Sequence, residues 1–219
     1  MRSWWLPPAV AFGLVLLVAP AAVRWYGAHD GKAGRFDYFV LSLSWSPEHC
    51  AGEDARADEP QCNASRPYGF VVHGLWPQSE DGSGDSCAAG GRLDRSIVDG
   101  MLDIMPSPSL VRHEWKTHGA CSGMPPADYF AKVRAARARV HIPEAYQDPR
   151  RARYVDAKEV RTEFSQANPD FERGGFAVIC RQRHLREVRV CLDKDLRPRP
   201  CGRGVHDQCR GEVAVRPLR

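Results

Sequence analysis

A chain of 219 residues with 43% hydrophobic content can bury one sizeable core and is too short for several, so a single folded domain is expected. Its formal net charge of +4 suits an anionic partner but excludes the dense positive charge of a dedicated DNA-binding arm. Eight cysteines with no C-x-x-C among them argue against zinc ribbons and thioredoxin-like motifs and for disulfides made in an oxidising compartment.

At the N-terminus, Met1-Arg2 precedes an uncharged stretch over residues 3–23 whose apolar centre, residues 9–18, is short for a spanning helix. Residues 1–28 therefore read as a signal peptide, with Ala19-Pro20-Ala21 and Tyr26-Gly27-Ala28 as small-residue cleavage points. An uncleaved membrane anchor is the other reading, because Trp4, Trp5, Trp25 and Tyr26 bracket the stretch like an interfacial belt, though Pro7, Pro8 and Pro20 count against it. On either reading residues 29–219 form the folded domain and face an exported space, secreted or periplasmic.

Residues 34–45 read as the first strand, with Leu41, Leu43 and Trp45 on one face and serines between them; Ser46-Pro47 ends it. Residues 48–67 are charged and loop-like. They hold Cys50 and Cys62, which a local bridge would close, and the sequon Asn63-Ala64-Ser65, read by default as an ordinary polar loop. Residues 68–73 read as the second strand, after which Gly74 and Pro77 turn the chain.

A Gly/Ser/Asp-rich loop carrying Cys87 follows over residues 79–91, then two helices. Residues 93–105 place Ile97, Met101 and Ile104 or Met105 at helical spacing, and Ser109 is positioned to cap a helix over residues 110–119. Residues 127–140 and 156–167 read as two more helices, the latter ended by Asn168-Pro169. A hairpin occupies residues 176–192, with Val188, Val190 and Leu192 alternating in its second strand. The Pro/Gly/Arg-rich tail is expected to be held by cysteines among 180, 191, 201 and 209. Strands and helices mix without βαβ regularity, so an α+β fold is expected, with a central antiparallel sheet flanked by helices and stapled by disulfides.

Two segments carry acid/base chemistry: His73-Gly74-Leu75-Trp76-Pro77-Gln78 and His113-Glu114-Trp115-Lys116-Thr117-His118-Gly119-Ala120-Cys121. Two imidazoles that divide the donor and acceptor roles, helped by neighbouring charge, are what phosphodiester transesterification needs without a metal. On a helix Glu114 and His118 share one face, Thr117 lies within a turn of Glu114 and His113, and Lys116 points roughly opposite. The His-Glu-x-x-x-His spacing separates the two imidazoles by about 140°, unlike the i, i+4 alignment of a zinc protease, so no metal site is expected. His29, His49, His141, His184 and His206 read as ordinary histidines. Arg134, Arg137, Arg139, Arg150, Arg151 and Arg153 read as a solvated helix face and loop rather than as phosphate contacts.

These segments resemble the two active-site segments of the ribonuclease T2 family, secreted acid endoribonucleases. Phe36-Asp37-Tyr38 leading to Trp45-Ser46-Pro47, and Val190-Cys191-Leu192-Asp193, match further along the chain in the family's order. The resemblance implies a sheet that holds His73 opposite the helix bearing His118. His118 would be the base that takes the ribose 2′-OH proton, and His73 the acid that protonates the departing 5′-oxygen. His113 would hold the phosphate, and Glu114 would support the charge of the pentacoordinate transition state.

It implies cleavage of single-stranded RNA through a 2′,3′-cyclic phosphate by a monomer, with low base specificity, no metal or other cofactor, and a bell-shaped pH profile. DNA, lacking the 2′-OH, would stay uncut. Trp76 and Gln78 stand where the family builds part of its first base pocket, although core packing is the other reading of Trp76. Gln78 departs from the acidic residue of some relatives. Thr117 departs from the family lysine that precedes the second histidine, which raises the alternative of a weakened or inactive T2-like protein that binds RNA or another partner. The family's bridges imply Cys87–Cys121, Cys180–Cys209 and Cys191–Cys201, with Cys50 and Cys62 remaining as the fourth pair.

Overall fold

The computed structural model describes residue 1 and residues 33–52, 59–82, 87, 90–171 and 174–218; the expected export segment at 1–28 lies almost wholly outside them. Among the described residues no helix is long and apolar enough to cross a membrane.

The fold is built on strand β1, Tyr38–Trp45. Its alternation sorts the sheet into two faces. Phe39, Leu41, Leu43 and Trp45 enter the main core against the helices, while Tyr38 and Val40 join a smaller cluster with Ala177, Cys191 and Val205. β1 pairs antiparallel with β2 (Phe70–Gln78) on one side and with β5 (His184–Leu192) on the other. The sheet runs β2-β1-β5, then β6 (Glu212–Val215) and β3 (Arg153–Asp156), with β4 (Phe176–Arg181) also on β5. β3 and β6 have four residues each, too few for a period of two to announce them. β5 meets β6 in parallel at a single pair, His184 with Ala214, so the sheet is mixed rather than wholly antiparallel.

Gly74 and Pro77 do not turn the chain as expected: β2 runs through both to Gln78. The reason is its place at the border of the sheet, where a proline needs no donor on its outer side. The β4–β5 turn is two residues long, and Gln182 and Arg183 both take positive φ, 48° and 65°. That is the twist a two-residue hairpin demands, here met without glycine and held by Ala214 N–H donating to the Arg183 carbonyl at 2.8 Å.

The helices frame the site strand. α1 (Ser46–His49) and α2 (Glu59–Cys62) are single turns joined by the Cys50–Cys62 bridge. The expected helix over residues 93–105 forms only as α3 (Arg95–Asp99) followed by turns, yet Val98, Met101 and Met105 are buried, so the apolar spacing marked the core face without a continuous helix. α4 (Pro108–Thr117) starts two residues before the expected Leu110. Its cap is Ser107, whose Oγ accepts from Leu110 N–H at 3.3 Å, and not Ser109: Pro108 takes the first helical position. A 3-10 turn, Gly119–Ser122, follows it. α5 (Pro126–Ala138) and α6 (Ala157–Ala167) complete the layer, α6 capped by Asp156.

The bridges Cys87–Cys121, Cys180–Cys209 and Cys191–Cys201 pair as the resemblance implied. Arg134, Arg150 and Arg153 pair with Asp103, Asp148 and Glu163, so half of the arginine-rich region serves local structure.

Candidate active site

His73 is aimed by an irregularity. Ser42 of β1 lies opposite Gly74, and the next residue, Leu43, lies opposite Val72, so His73 is an extra residue in β2 with no partner on β1. Such a bulge bends the strand and re-aims one side chain, a device common beside active sites. The imidazole is left about a quarter exposed.

Gly74, next to it, is there for space. A Cβ on residue 74 would stand 2.0 Å from Glu114 Oε2 and 2.4 Å from Trp76 Nε1. α4 thus lays the Glu114 carboxylate directly on the backbone of β2, where it is 1% exposed. Glu114 Oε2 accepts from Trp76 Nε1–H at 2.7 Å, and Oε1 lies 3.5 Å from His73 Nε2.

His118 ends α4 rather than continuing it: its φ and ψ of −123° and −46° leave the helix, while its N–H still donates to the Glu114 carbonyl at 2.9 Å. Gly119 makes that exit feasible, because a Cβ there would meet the Trp115 ring at 2.6 Å and Tyr129 at 2.8 Å. Tyr129, on α5, donates its hydroxyl to the Leu75 carbonyl at 2.9 Å and so pins β2 between Gly74 and Trp76.

Trp76 touches both imidazoles. Its ring centroid is 5.2 Å from that of His73 and 5.3 Å from that of His118. It also packs on the apolar cluster of the second face, so the packing and site readings both describe it. Arg189 places its guanidinium 5.1 Å from the same indole. Gln78 donates its amide to the Pro77 carbonyl at 2.9 Å. His113, Lys116 and Thr117 are exposed on α4.

Sequence reasoning missed Glu187. It sits on β5 opposite Ser44, 2% exposed, with Oε1 3.4 Å from His73 Nδ1. The alternation of Val188 and Val190 marks 187 and 189 as the opposite face of the strand, and in a sequence that face looks like solvent. Here it is the floor of the site.

The electrostatics separate the two imidazoles. For His73, burial pulls the pKa down, but Glu187 and Glu114 outweigh it and the net shift is upward. For His118, burial, then the nearby His113 and His73, bring it down to about 4. Burial pushes Glu114 up to about 7, against the opposing pull of His73 and the Trp76 N–H. Glu187 resists its burial through His73, Arg189 and Arg186 and is held down at about 2. Near pH 6 the arrangement offers a proton acceptor at His118 and a proton donor at His73.

Beside His73 opens a cavity of about 210 Å³ lined by Ser44, His49, Leu110, Arg181, Arg186 and Glu187, among others. Among the described residues no group of three or more His, Cys, Asp or Glu side chains is arranged to hold a metal ion.

Known proteins match this chain over most of its length. Residues 36–201 match the model of the Ribonuclease T2 family. A ribonuclease of Aeromonas hydrophila is 37% identical over 193 residues, which is 83% of this chain and 85% of that protein. The solved RNase-related protein from Calystegia sepium superposes with a TM-score of 0.68 at 22% identity, covering 85% of this chain and 98% of its own. Trichomaglin, described as an S-like ribonuclease, gives 0.66 at 22% identity, covering 84% and 99%. At that identity the two structures speak to the fold, and the fold agrees. With the family pattern matched from Phe36 to Cys201 and a relative at 37% identity along most of both chains, this chain belongs to the ribonuclease T2 family.

Proposed function

We propose that the protein is an exported endoribonuclease that cleaves single-stranded RNA by metal-independent transesterification, leaving a 2′,3′-cyclic phosphate. The observation that carries this reading is the placement of two imidazoles against one indole, His73 and His118 with ring centroids 5.2 Å and 5.3 Å from that of Trp76, where burial lowers the pKa of His118 and two carboxylates raise that of His73. His118 takes the 2′-OH proton as that oxygen attacks phosphorus. His73 gives its proton to the 5′-oxygen as the P–O bond breaks. Glu114, beside His73, is largely protonated below pH 7 and can donate to an equatorial phosphoryl oxygen.

His113, exposed one residue before Glu114, holds the phosphate from the solvent side. Trp76 and Gln78 contribute to base binding, and the cavity beside His73 takes the nucleotide on the leaving-group side. The chain acts as a monomer, and its N-terminal segment directs it out of the cytoplasm as a cleaved signal or an anchor.

Purified protein incubated with homopolymer RNA in EDTA tests the reaction, with cyclic-phosphate termini as the readout. Absence of that product from acid to neutral pH would reject it, and loss of cleavage in EDTA alone would move the reading to a metal-dependent phosphodiesterase. Thr117, uncharged and exposed at the position of the family lysine, is the observation behind the second reading, a binding protein with weak or no catalysis, and the ribonuclease relatives do not favour that reading. The same assay decides it, since that reading predicts RNA retention without product.

A further inference from the structure

We propose that Glu187 is a positioning residue for His73: its carboxylate engages Nδ1 and thereby presents Nε2 to the departing oxygen. The inference rests on the ribonuclease reading above. β2 and β5 both flank β1 and are not neighbours, so the two side chains must meet across β1, and beyond Tyr38 and Val40 the residues of β1 on that face are the small Ser42 and Ser44. The bulge at His73 and those two small residues open the path.

Glu187 is held from several directions. Oε2 accepts from Ser42 Oγ at 3.1 Å and from Arg189 Nε–H at 3.2 Å, while Oε1 lies 3.4 Å from Arg186 Nε and 3.4 Å from His73 Nδ1. A carboxylate is costly to bury unless it is paired, and this one is paired on both oxygens. His73 faces Glu114 from α4, Trp76 from its own strand, and Glu187, with Arg186 and Arg189 behind it, from β5; His49 lines the same cavity from α1. Of the two carboxylates, Glu114 sheds its charge as the pH falls below about 7, whereas Glu187 stays ionised down to about 2. In acid solution Glu187 is therefore the lasting counter-ion of His73, and Arg189 links it to the indole between the imidazoles.

The test combines Glu187→Gln with NMR of the His73 ring. In the variant, the His73 titration midpoint should fall by about one unit or more. kcat should drop about ten- to a hundredfold, with the alkaline limb of the pH profile moving to lower pH. An unmoved midpoint, or an unchanged kcat in folded variant, overturns the proposal. Should Glu187→Gln fail to fold, the wild-type ring answers directly: neutral His73 must carry its proton on Nδ1, and the Nε2–H tautomer overturns the proposal. If wild-type protein cleaves no RNA, the ribonuclease reading fails, while the ring measurement still decides whether Glu187 governs His73.

Discussion

Replacing Gly74 with alanine tests the closest approach in the site. The added Cβ would stand 2.0 Å from Glu114 Oε2, where ordinary contact begins near 3.4 Å, so the carboxylate must retreat by about 1.4 Å. That retreat breaks the 2.7 Å bond from Trp76 Nε1–H. A hydrogen bond to a charged group contributes about 1.5–3 kcal/mol, and overpacking a tight interior costs about 1–3 kcal/mol. The sum is roughly 2.5–6 kcal/mol, equivalent to a fall in Tm of about 5–24 °C for a domain of this size. A displacement of this order at a reacting centre costs about a hundredfold in kcat. Thermal unfolding and RNA turnover should be measured beside Gly91→Ala, since nothing lies within 4 Å of a Cβ at position 91. A Gly74→Ala protein with wild-type Tm and turnover would refute the account of why this glycine is present.

The pH profile of kcat/KM should rise through about pH 4 as His118 loses its proton and fall above the ordinary histidine range as His73 loses its own; an acid limb near 6.5 would contradict the burial argument. Glu114→Gln should lower activity yet raise Tm in alkaline buffer. The folded pKa of about 7 exceeds the unfolded value of 4.5, so the stability linked to Glu114 is complete below about 4.5 and is lost as pH rises through about 7. The variant escapes that loss, so melting at pH 5 and pH 8.5 should show the gain only at the higher pH. Thr117→Lys restores a cation at the exposed end of α4 and should raise turnover by about tenfold; equal or lower turnover would mean that another cation, such as Arg189 at 5.1 Å from the Trp76 ring, already serves.

The two segments proposed to carry the chemistry stand out in the sequence because each compresses several structural demands into a few residues. Glycine at 74 makes room for a carboxylate, tryptophan at 76 binds it, and glycine at 119 lets the chain leave the helix beside Trp115. The apolar alternation of β1 and of the β4–β5 hairpin likewise foretold the centre of the sheet. Local punctuation misled at β2, where Gly74 and Pro77 signal a turn to any reading that ignores neighbours, and pairing to Tyr38–Trp45 overrides them. Glu187 was hidden for a different reason. Its burial depends on β5 lying one strand away from His73 across two serines, and strand order is not written in any local pattern. The same holds for β3 and β6, whose partners stand some 60 residues apart in the chain.

The bulge at His73 has a further effect on how copies of this chain meet. β2 is the last strand of the sheet, and a straight border strand offers a row of free amides to which another molecule can add. Here the row is interrupted: the extra residue breaks its regularity, the Val72 N–H is taken up by the Ile104 carbonyl at 2.9 Å, and Pro77 has no N–H to give. The kink that points an imidazole inward thus also blunts the outer rim, and the strand bearing His73 is a poor seed for fibre growth.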